Sequence, residues 1–334
     1  MAMGPLGKAL FASFRSAAPA LPRSIPILRS RVLQQTRTFS QTTRLQAYRR
    51  PQQNYSYSRF QTTSNLLYRW ASSPSFYYQV GFLSLSAGGF YVYNLEEVPV
   101  SGRRRFNFIP EAYARQVSES SYRQILAEYR SQILPQTHPL HRMVEGVLER
   151  LIPHSGLPAE TNSWTVHVIN DNTKNAFVLP GGHVFVFRGI LDVARGEDGL
   201  AAVLGHEIAH NVANHVGEKM SQSSFLMVIP IVLAGLGIAD FGLSRMILDL
   251  GLSKPNGRKQ ESEADYIGLM MMAEACFDPT AAEKMWARMD ALEKAQGGAP
   301  PQFLSTHPAS RNRMRDIAEW MPKAEAKSQE SGCA

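Results

Sequence analysis

A glutamate between two histidines, in the order H-E-x-x-H, is the part of this sequence best suited to chemistry. His206 and His210 lie four residues apart, so a helix would point both imidazoles into one space. Neutral imidazoles in that arrangement bind Zn²⁺, and Glu207 beside them can accept a proton from an attacking water. Apolar residues recur every four positions from Leu200 to Val212, which makes a merely solvated polar face an unfavourable alternative. The motif therefore predicts one zinc ion per chain and a hydrolytic role.

A third metal ligand is needed, and a further histidine does not supply it. His215 follows the second histidine of the motif by five residues. On an unbroken helix it would point about 140° away from that residue. We therefore predict that a carboxylate from another element completes the site.

A second predicted helix carries that carboxylate. Glu261, Asp265 and Gly268 have the spacing of one helix face, and the small residues Ala264 and Gly268 would let another helix approach closely. We predict Glu261 as the third zinc ligand and Asp265 as the acceptor of a ring N–H from a ligand histidine, whereas Glu263 points to the opposite side. The alternative is a solvated acidic helix start, stabilised by the helix dipole.

These residues must be positioned by an α+β domain. The alternating segment Trp164–Ile169 predicts a strand, and Asn175–Phe187 predicts two strands joined by a Pro-Gly-Gly turn. Capping residues and apolar periodicity predict helices over 111–134, 139–152, 197–220, 260–275, 278–294 and 310–320. We predict a mostly helical domain with a small sheet over residues 111–321, followed by a disordered tail at 322–334.

The first strand of that hairpin has two interpretations. Asn175, Ala176 and Phe177 could pair with an extended substrate by edge-strand addition, which holds any sequence through its main chain. The strand could equally belong to a plain structural hairpin. The sequence leaves both open.

The positive charge of the chain is concentrated in its N-terminal part. Of 334 residues with a formal net charge of +7, the first 95 contain 11 Lys and Arg and no Asp or Glu. The other 239 hold 24 basic and 28 acidic residues, a net charge of −4, which argues against nucleic acid as a partner. An acid-free, Arg-rich segment is typical of a mitochondrial presequence rather than of a disordered basic tail. We predict a presequence at 1–39, ending near Arg37–Ser40, and a basic linker at 40–75 on the matrix side.

Residues 76–95 carry no formal charge and are predicted to form one transmembrane helix. Aromatic residues stand at both ends, at 76–78 and 90–93, as at the two membrane interfaces. The alternative is a buried helix of a soluble protein, since Gln79 and several Ser and Gly interrupt the middle. Import led by the presequence would place the chain after this helix, beginning with a linker at 96–110, in the intermembrane space.

A second apolar run lies between the two predicted ligand helices, and its length limits how it can meet a membrane. Residues 225–239 are apolar but short for a span, and a single crossing would separate the histidines from the third ligand by a membrane. We therefore predict that 225–253 lies on, or dips into, the membrane beside the site, with lipid as a partner. Cys276 and Cys333 are too few for a disulfide framework.

Several motifs together resemble those of one peptidase group. The residues that carry this resemblance are His206–His210, Glu261–Asp265, Asn175–Phe177 with Pro180–Gly182, and His307–Pro308 with Arg313. From about residue 140 to 320 the chain is similar to the zinc metallopeptidases that include the CaaX prenyl protease and the bacterial membrane heat-shock protease HtpX. Because a presequence and one transmembrane helix are predicted before this region, the chain looks like the mitochondrial inner-membrane members of that group, whose activity overlaps with that of the m-AAA protease.

This resemblance implies a zincin-type domain of the gluzincin class that cleaves inner-membrane proteins, the dynamin-like fusion GTPase included, for quality control and stress-responsive processing. It also implies that His307 lies near the zinc and stabilises the oxyanion; the alternative is that His307 only begins the last helix. We expect a zinc-dependent endopeptidase of the mitochondrial inner membrane, with its catalytic domain facing the intermembrane space and a homo-oligomer left open. The alternatives are a non-catalytic membrane adaptor with a structural zinc, which would have no use for Glu207, and a soluble matrix peptidase.

Overall fold

The computed structural model of the protein describes residues 68–98, 100–158, 164–224, 254–295, 297, 300–307 and 312–333. The predicted presequence, most of the basic linker after it and the apolar segment 225–253 lie outside these residues.

Helices predominate and the sheets are small, as the sequence predicts. The helices that build the domain are α1 (Phe76–Tyr93), α2 (Glu111–Tyr129), α3 (Pro139–Leu151), α4 (Arg188–Ala194), α5 (Glu197–Val212), α6 (215–224), α7 (Lys254–Glu274), α8 (Thr280–Ala295), α9 (Gln302–Thr306) and α10 (Arg313–Glu330). The strands are β1 (Leu95–Glu97), β2 (Arg104–Phe106), β3 (Thr165–Ile169), β4 (Ala176–Leu179) and β5 (His183–Phe187).

The larger sheet has the strand order β3–β5–β4. The predicted strand and hairpin are confirmed, and β4 pairs antiparallel with β5 across the turn at Gly181 and Gly182. Both glycines have positive φ, 102° and 90°, which explains the Gly-Gly pair in this turn. β3 pairs with β5 in parallel, so β5 is central and all five of its residues are buried. This arrangement leaves β4 at the edge of the sheet.

The segment 96–110, expected to be a linker, contains two short strands. β1 and β2 form an antiparallel hairpin directly after α1. Val98 N donates a hydrogen bond to Arg103 O at 2.9 Å, and Gly102 adopts a φ of 66° in the turn between them. Short strands of three residues are beyond what period-two alternation can identify.

Helix α5 lies at the centre of the domain. Every residue from Gly199 to His210 is buried, which explains why the helix is rich in small and apolar residues on all sides. Its main neighbour is α7, and the two backbones approach closely where Gly205 faces Gly268. A Cβ atom on Gly268 would lie 2.8 Å from the carbonyl carbon of Gly205. The predicted close approach of a small-residue helix face is thus confirmed.

The long helix predicted over 197–220 is interrupted. Ala213 and Asn214 form a turn in which Asn214 has a φ of 43°, and a new helix, α6, starts at His215. Asparagine tolerates this left-handed conformation better than most residues. The change of direction brings His215 back towards the preceding helix.

The tail at 322–334 is helical to Glu330, which corrects the expectation of disorder. α10 continues through Pro322, and Ala324 is buried. Cys333 forms a disulfide with Cys276, 57 residues earlier, just after the end of α7. The two cysteines, too few for a framework, therefore make one cross-link that fastens the end of the chain to the domain.

Helix α1 lies where a transmembrane helix was predicted, and its exposure and apolarity can be compared with that prediction. None of its 18 residues is buried, so it is not the core helix of the alternative interpretation either. Among the described residues, no helix combines the length and apolarity that crossing a membrane requires. Gln79, Ser84, Ser86 and three glycines lower the apolarity of α1. The segment predicted as a span at 76–95 thus contains an exposed helix followed by the start of β1.

Candidate active site

Helices α5 and α7 bring the predicted metal ligands together. His206 and His210 place their Nε2 atoms 3.2 Å apart. The carboxylate of Glu261, on α7, lies 3.4 Å from His206 Nε2 and 3.8 Å from His210 Nε2. All three side chains are buried. Tetrahedral ligands about 2.0–2.1 Å from one zinc ion are about 3.3 Å apart, so these atoms have the spacing of a single metal site.

His206 is oriented through its second ring nitrogen. Nδ1 lies 2.9 Å from Asp265 Oδ1, and since a carboxylate accepts, Nδ1–H is the donor. Arg313 donates from Nε to the other oxygen of Asp265 at 2.6 Å and stacks 3.8 Å above the ring of Trp286. With Nδ1 fixed as a donor to Asp265, Nε2 is the ring nitrogen of His206 that is directed into the site and can bind a metal in exchange for its proton.

His215 contacts His210 in a way that the sequence did not predict. Because the helix breaks before it, His215 turns back and places its Nδ1 2.7 Å from His210 Nδ1. The argument that an unbroken helix would direct it away is therefore wrong. Its ring nevertheless reaches the outer nitrogen of His210 and not the space that the ligand atoms share.

Glu207 is buried in the same cluster. Its Oε1 lies 3.3 Å from His307 Nε2, yet without hydrogen-bond geometry, so this oxygen has no hydrogen-bond partner within the described residues. Burial raises the pKa of Glu207, although the nearby imidazoles of His307 and His206 oppose that shift. A carboxyl with a raised pKa and a free oxygen is suited to general-base chemistry.

His307 ends α9 and belongs to the cluster, whereas the last helix, α10, begins only at Arg313. His307 Nδ1 lies 3.2 Å from Glu261 Oε2. One possible ligand atom from each of four residues, His206, Glu207, His210 and His307, lies within 4.8 Å of all the others.

That group contains Glu207 in place of Glu261, so two carboxylates compete for the metal. A metal ligand must be ionised. Burial would raise the pKa of Glu261, but hydrogen bonds with His206 and His307 bring it well below the usual range, whereas the pKa of Glu207 is raised. These opposite pKa shifts favour Glu261 as the ligand and Glu207 as the base.

The buried groups favour a cation at this point. Burial lowers the pKa of His206, but hydrogen bonds with Asp265 and Glu261 outweigh burial and raise it to about 9. Burial and the charge on His206 lower the pKa of His210 well below its usual range. One positive charge thus lies among the donors when no metal is bound, and a metal ion would displace that proton. Two imidazoles and one ionised carboxylate fit a divalent ion of intermediate softness.

Strand β4 borders the site through its outer edge. Asn211 of α5 donates to Val178 O at 3.0 Å, whereas Asn175 and Leu179 accept hydrogen bonds from the β5 side. Peptide groups alternate in direction along an antiparallel edge strand. Of the three residues predicted to pair with a substrate, Ala176 is therefore the one whose peptide groups face away from β5.

The sequence did not predict the part played by Glu263 and Arg103. Arg103 stands in a run of three arginines, which is typical of a membrane-flanking segment. It hydrogen-bonds to Glu218 and Glu263, 115 and 160 residues later. No spacing rule links residues so far apart, so no sequence signal could have identified these contacts.

Comparison with known proteins places this geometry in context. Residues 114–321 match peptidase family M48. The chain is 47% identical over 254 residues to the mitochondrial metalloendopeptidase OMA1 of Schizosaccharomyces pombe, covering 75% of this chain and 74% of that protein. It is 38% identical over 268 residues to the protein of the same name in Saccharomyces cerevisiae, covering 76% and 77%. The beta-barrel assembly-enhancing protease of Escherichia coli is 25% identical over 178 residues, covering 50% and 36%.

Proposed function

The chain belongs to peptidase family M48 and is a metalloendopeptidase, and from this premise we propose that one Zn²⁺ is held by His206, His210 and Glu261. The observation that carries the proposal is the separation of the ligand groups: the two Nε2 atoms are 3.2 Å apart, and each has an oxygen of the Glu261 carboxylate at 3.4 or 3.8 Å. When bound there, zinc polarises the peptide carbonyl and lowers the pKa of water. Three protein ligands leave a position open, which is typical of catalytic rather than structural zinc sites.

Glu207 acts as the general base of the reaction. Its free oxygen takes a proton from the attacking water and later delivers it to the leaving amine. Asp265 and Arg313 hold His206 in the required tautomer, and His307 donates a hydrogen bond to the oxyanion that forms on the carbonyl.

The role of His307 is tested by His307→Ala, which should lower kcat with little change in KM. An unchanged kcat would remove His307 from this role.

An extended substrate pairs with the outer edge of β4. Ala176 offers the peptide groups for this pairing, flanked by Asn175 and Phe177, and the strand lies against the helix that carries Glu207. A peptide methylated at the backbone nitrogen that pairs with Ala176 should have a higher KM than the same peptide without the methyl group. Equal KM values for the methylated and unmethylated peptides would exclude this binding mode.

A non-catalytic adaptor with structural zinc is the competing function. Such a protein gains nothing from a carboxylate beside the metal ligands, and burying one with an unpartnered oxygen costs free energy. The burial of Glu207 and its free Oε1 therefore support catalysis.

The proposed substrates are proteins of the mitochondrial inner membrane, including the dynamin-like fusion GTPase, cleaved for quality control and under stress. The acid-free N-terminal 95 residues, the relatives named as mitochondrial endopeptidases and the exposed aromatic side chains of α1 support this proposal. The purified protein should cleave that GTPase in liposomes, a chelator should abolish cleavage, and Zn²⁺ should restore it. A soluble mitochondrial protein of similar size serves as the control substrate. Cleavage that survives the chelator would exclude the metal from the reaction, and no cleavage of the GTPase would exclude it as a substrate.

The catalytic domain is proposed to face the intermembrane space, attached to the inner membrane. Protease added to isolated mitochondria should digest the domain once the outer membrane is ruptured and the inner membrane is intact. A matrix protein must stay protected in the same sample. Protection of the domain together with its release by alkaline carbonate would instead identify a soluble matrix peptidase.

A further inference from the structure

A chain of buried hydrogen bonds leads from the metal ligand His210 away from the active site. His210 Nδ1 lies 2.7 Å from His215 Nδ1, and His215 Nε2 lies 2.9 Å from Glu263 Oε2. His215 is 1% exposed and Glu263 6%, so water does not replace these contacts. The zinc site proposed above uses neither residue as a ligand or base, yet both are polar and buried.

The direction of each hydrogen bond follows from Glu263. A carboxylate accepts, so His215 Nε2 carries the hydrogen and its Nδ1 is left with a lone pair. His210 Nδ1–H is then the donor to His215. This leaves His210 Nε2 without a hydrogen and with its lone pair directed towards the metal position, the only tautomer that can bind a metal there.

Three donors converge on the carboxylate of Glu263. It accepts hydrogen bonds from His215, Arg103 and Ser101. Arg103 donates from Nε to Glu263 at 2.9 Å and from its two terminal nitrogens to Glu218 at 3.0 and 2.7 Å. One arginine therefore satisfies two buried carboxylates.

Ser101 and Arg103 both lie in the turn of the β1–β2 hairpin, which follows directly on the exposed helix α1. The hairpin thus connects to the relay through side chains, although Arg103 is 115 residues from Glu218 and 160 from Glu263 in sequence. Removing it would leave Glu218 and Glu263 buried without their counter-charge, which is strongly unfavourable.

We propose that His215, Glu263 and Arg103 form a positioning relay for the metal ligand His210, and that docking of the hairpin after α1 thereby sets how tightly the metal is held. The proposal rests on the zinc site proposed above. It differs from a purely structural role in one respect: breaking the relay weakens metal binding and changes the metal's coordination, whereas a structural cluster affects folding alone.

The test measures zinc affinity of the full-length protein by competition with a chromogenic chelator, and the visible spectrum after Co²⁺ substitution. Outer hydrogen-bond partners of metal-binding histidines change metal affinity by about 10- to 100-fold, and we expect such a loss in His215→Leu. His215→Asn should recover most of it, because the amide oxygen can accept the His210 N–H. The matched control is His141→Leu, a histidine that is 2% exposed and donates elsewhere, to Val166 O.

The hairpin is tested with a second pair of variants. Arg103→Gln should lower zinc affinity towards the small end of that range. Arg105→Gln should not, because Arg105, the buried arginine of the same hairpin, pairs with Glu96 instead. Equal losses in the two arginine variants would overturn the role of the hairpin.

Should His215→Leu fail to fold, as judged by circular dichroism, Glu263→Gln tests the same relay at constant side-chain volume. Wild-type zinc affinity and an unchanged Co²⁺ spectrum in His215→Leu or Glu263→Gln would overturn the relay while leaving the zinc site intact. A wild-type protein that binds no zinc would overturn the zinc site and the relay together.

Discussion

Replacing Glu207 by glutamine should abolish most peptide hydrolysis while zinc stays bound. Glutamine has the same shape but cannot accept the proton of the attacking water, and general-base catalysis contributes about 10²- to 10⁴-fold to a rate. The metal ligands His206, His210 and Glu261 are unchanged by this substitution. The measurement is kcat/KM on a peptide substrate, together with the zinc content of the same preparation.

The matched control is Glu197→Gln, on the same helix but with its side chain 62% exposed and far from the chemistry. It should cleave at the wild-type rate. Hydrolysis by Glu207→Gln at a comparable rate would refute the assigned mechanism. Loss of zinc from Glu207→Gln would instead identify this residue as a ligand.

The pH dependence of kcat/KM should also distinguish Glu207→Gln from the wild type. A general base works only when ionised, so activity falls as the pH drops through its pKa. Because burial raises the pKa of Glu207, this loss should occur above the value of about 4.3 that is usual for glutamate. The fall in kcat/KM at low pH should therefore be absent from the residual activity of Glu207→Gln.

Replacing Glu261 by alanine should have the largest effect on metal binding. This substitution removes a direct ligand, and it also deprives Arg313 and His307 of one of their carboxylate contacts. We expect zinc affinity to fall further than the roughly 10- to 100-fold loss that outer-layer substitutions such as Glu263→Gln cause. Zinc should raise the Tm of the wild-type protein, because a ligand that binds only the folded state stabilises it, and should leave that of Glu261→Ala unchanged.

Glu274→Ala is the control, since it removes a carboxylate near the other end of the same helix, where Glu274 pairs with Lys327 at 3.0 Å. Its zinc affinity should equal that of the wild type. If Glu261→Ala retains zinc as well as this control does, Glu261 is not a ligand, and the carboxylate of Glu207 or the imidazole of His307 becomes the alternative third ligand.

Local rules predicted much of the domain. Alternating residues gave the strand at 165–169 and the hairpin at 176–187, and apolar periodicity gave α5 and α7. These predictions succeed because helix and strand periods follow from backbone geometry over a few residues. The rules failed where a single residue ended an element, as at Asn214, and where a covalent link fixed a polar segment, as at Cys333.

Local spacing also predicted part of the candidate site, and tertiary packing decided the rest. Within one helix, a spacing of four residues brings His206 and His210 together without help from the rest of the chain. The face that carries Glu261 and Asp265 is likewise set by local spacing, and only its place against α5 depends on the Gly205–Gly268 contact. That contact is a packing event between segments 63 residues apart, which the small residues permit but do not specify.

What the sequence determined by itself is the chemistry: two imidazoles, a base between them, and an acidic helix face able to complete a metal site. The tertiary structure decided which groups surround that chemistry. His215 turns back to His210 because the chain breaks at Asn214, and Arg103 reaches Glu263 because a hairpin docks 160 residues away from it in sequence. Such contacts depend on the position of whole elements, and position is set by the burial of many side chains at once rather than by any one of them.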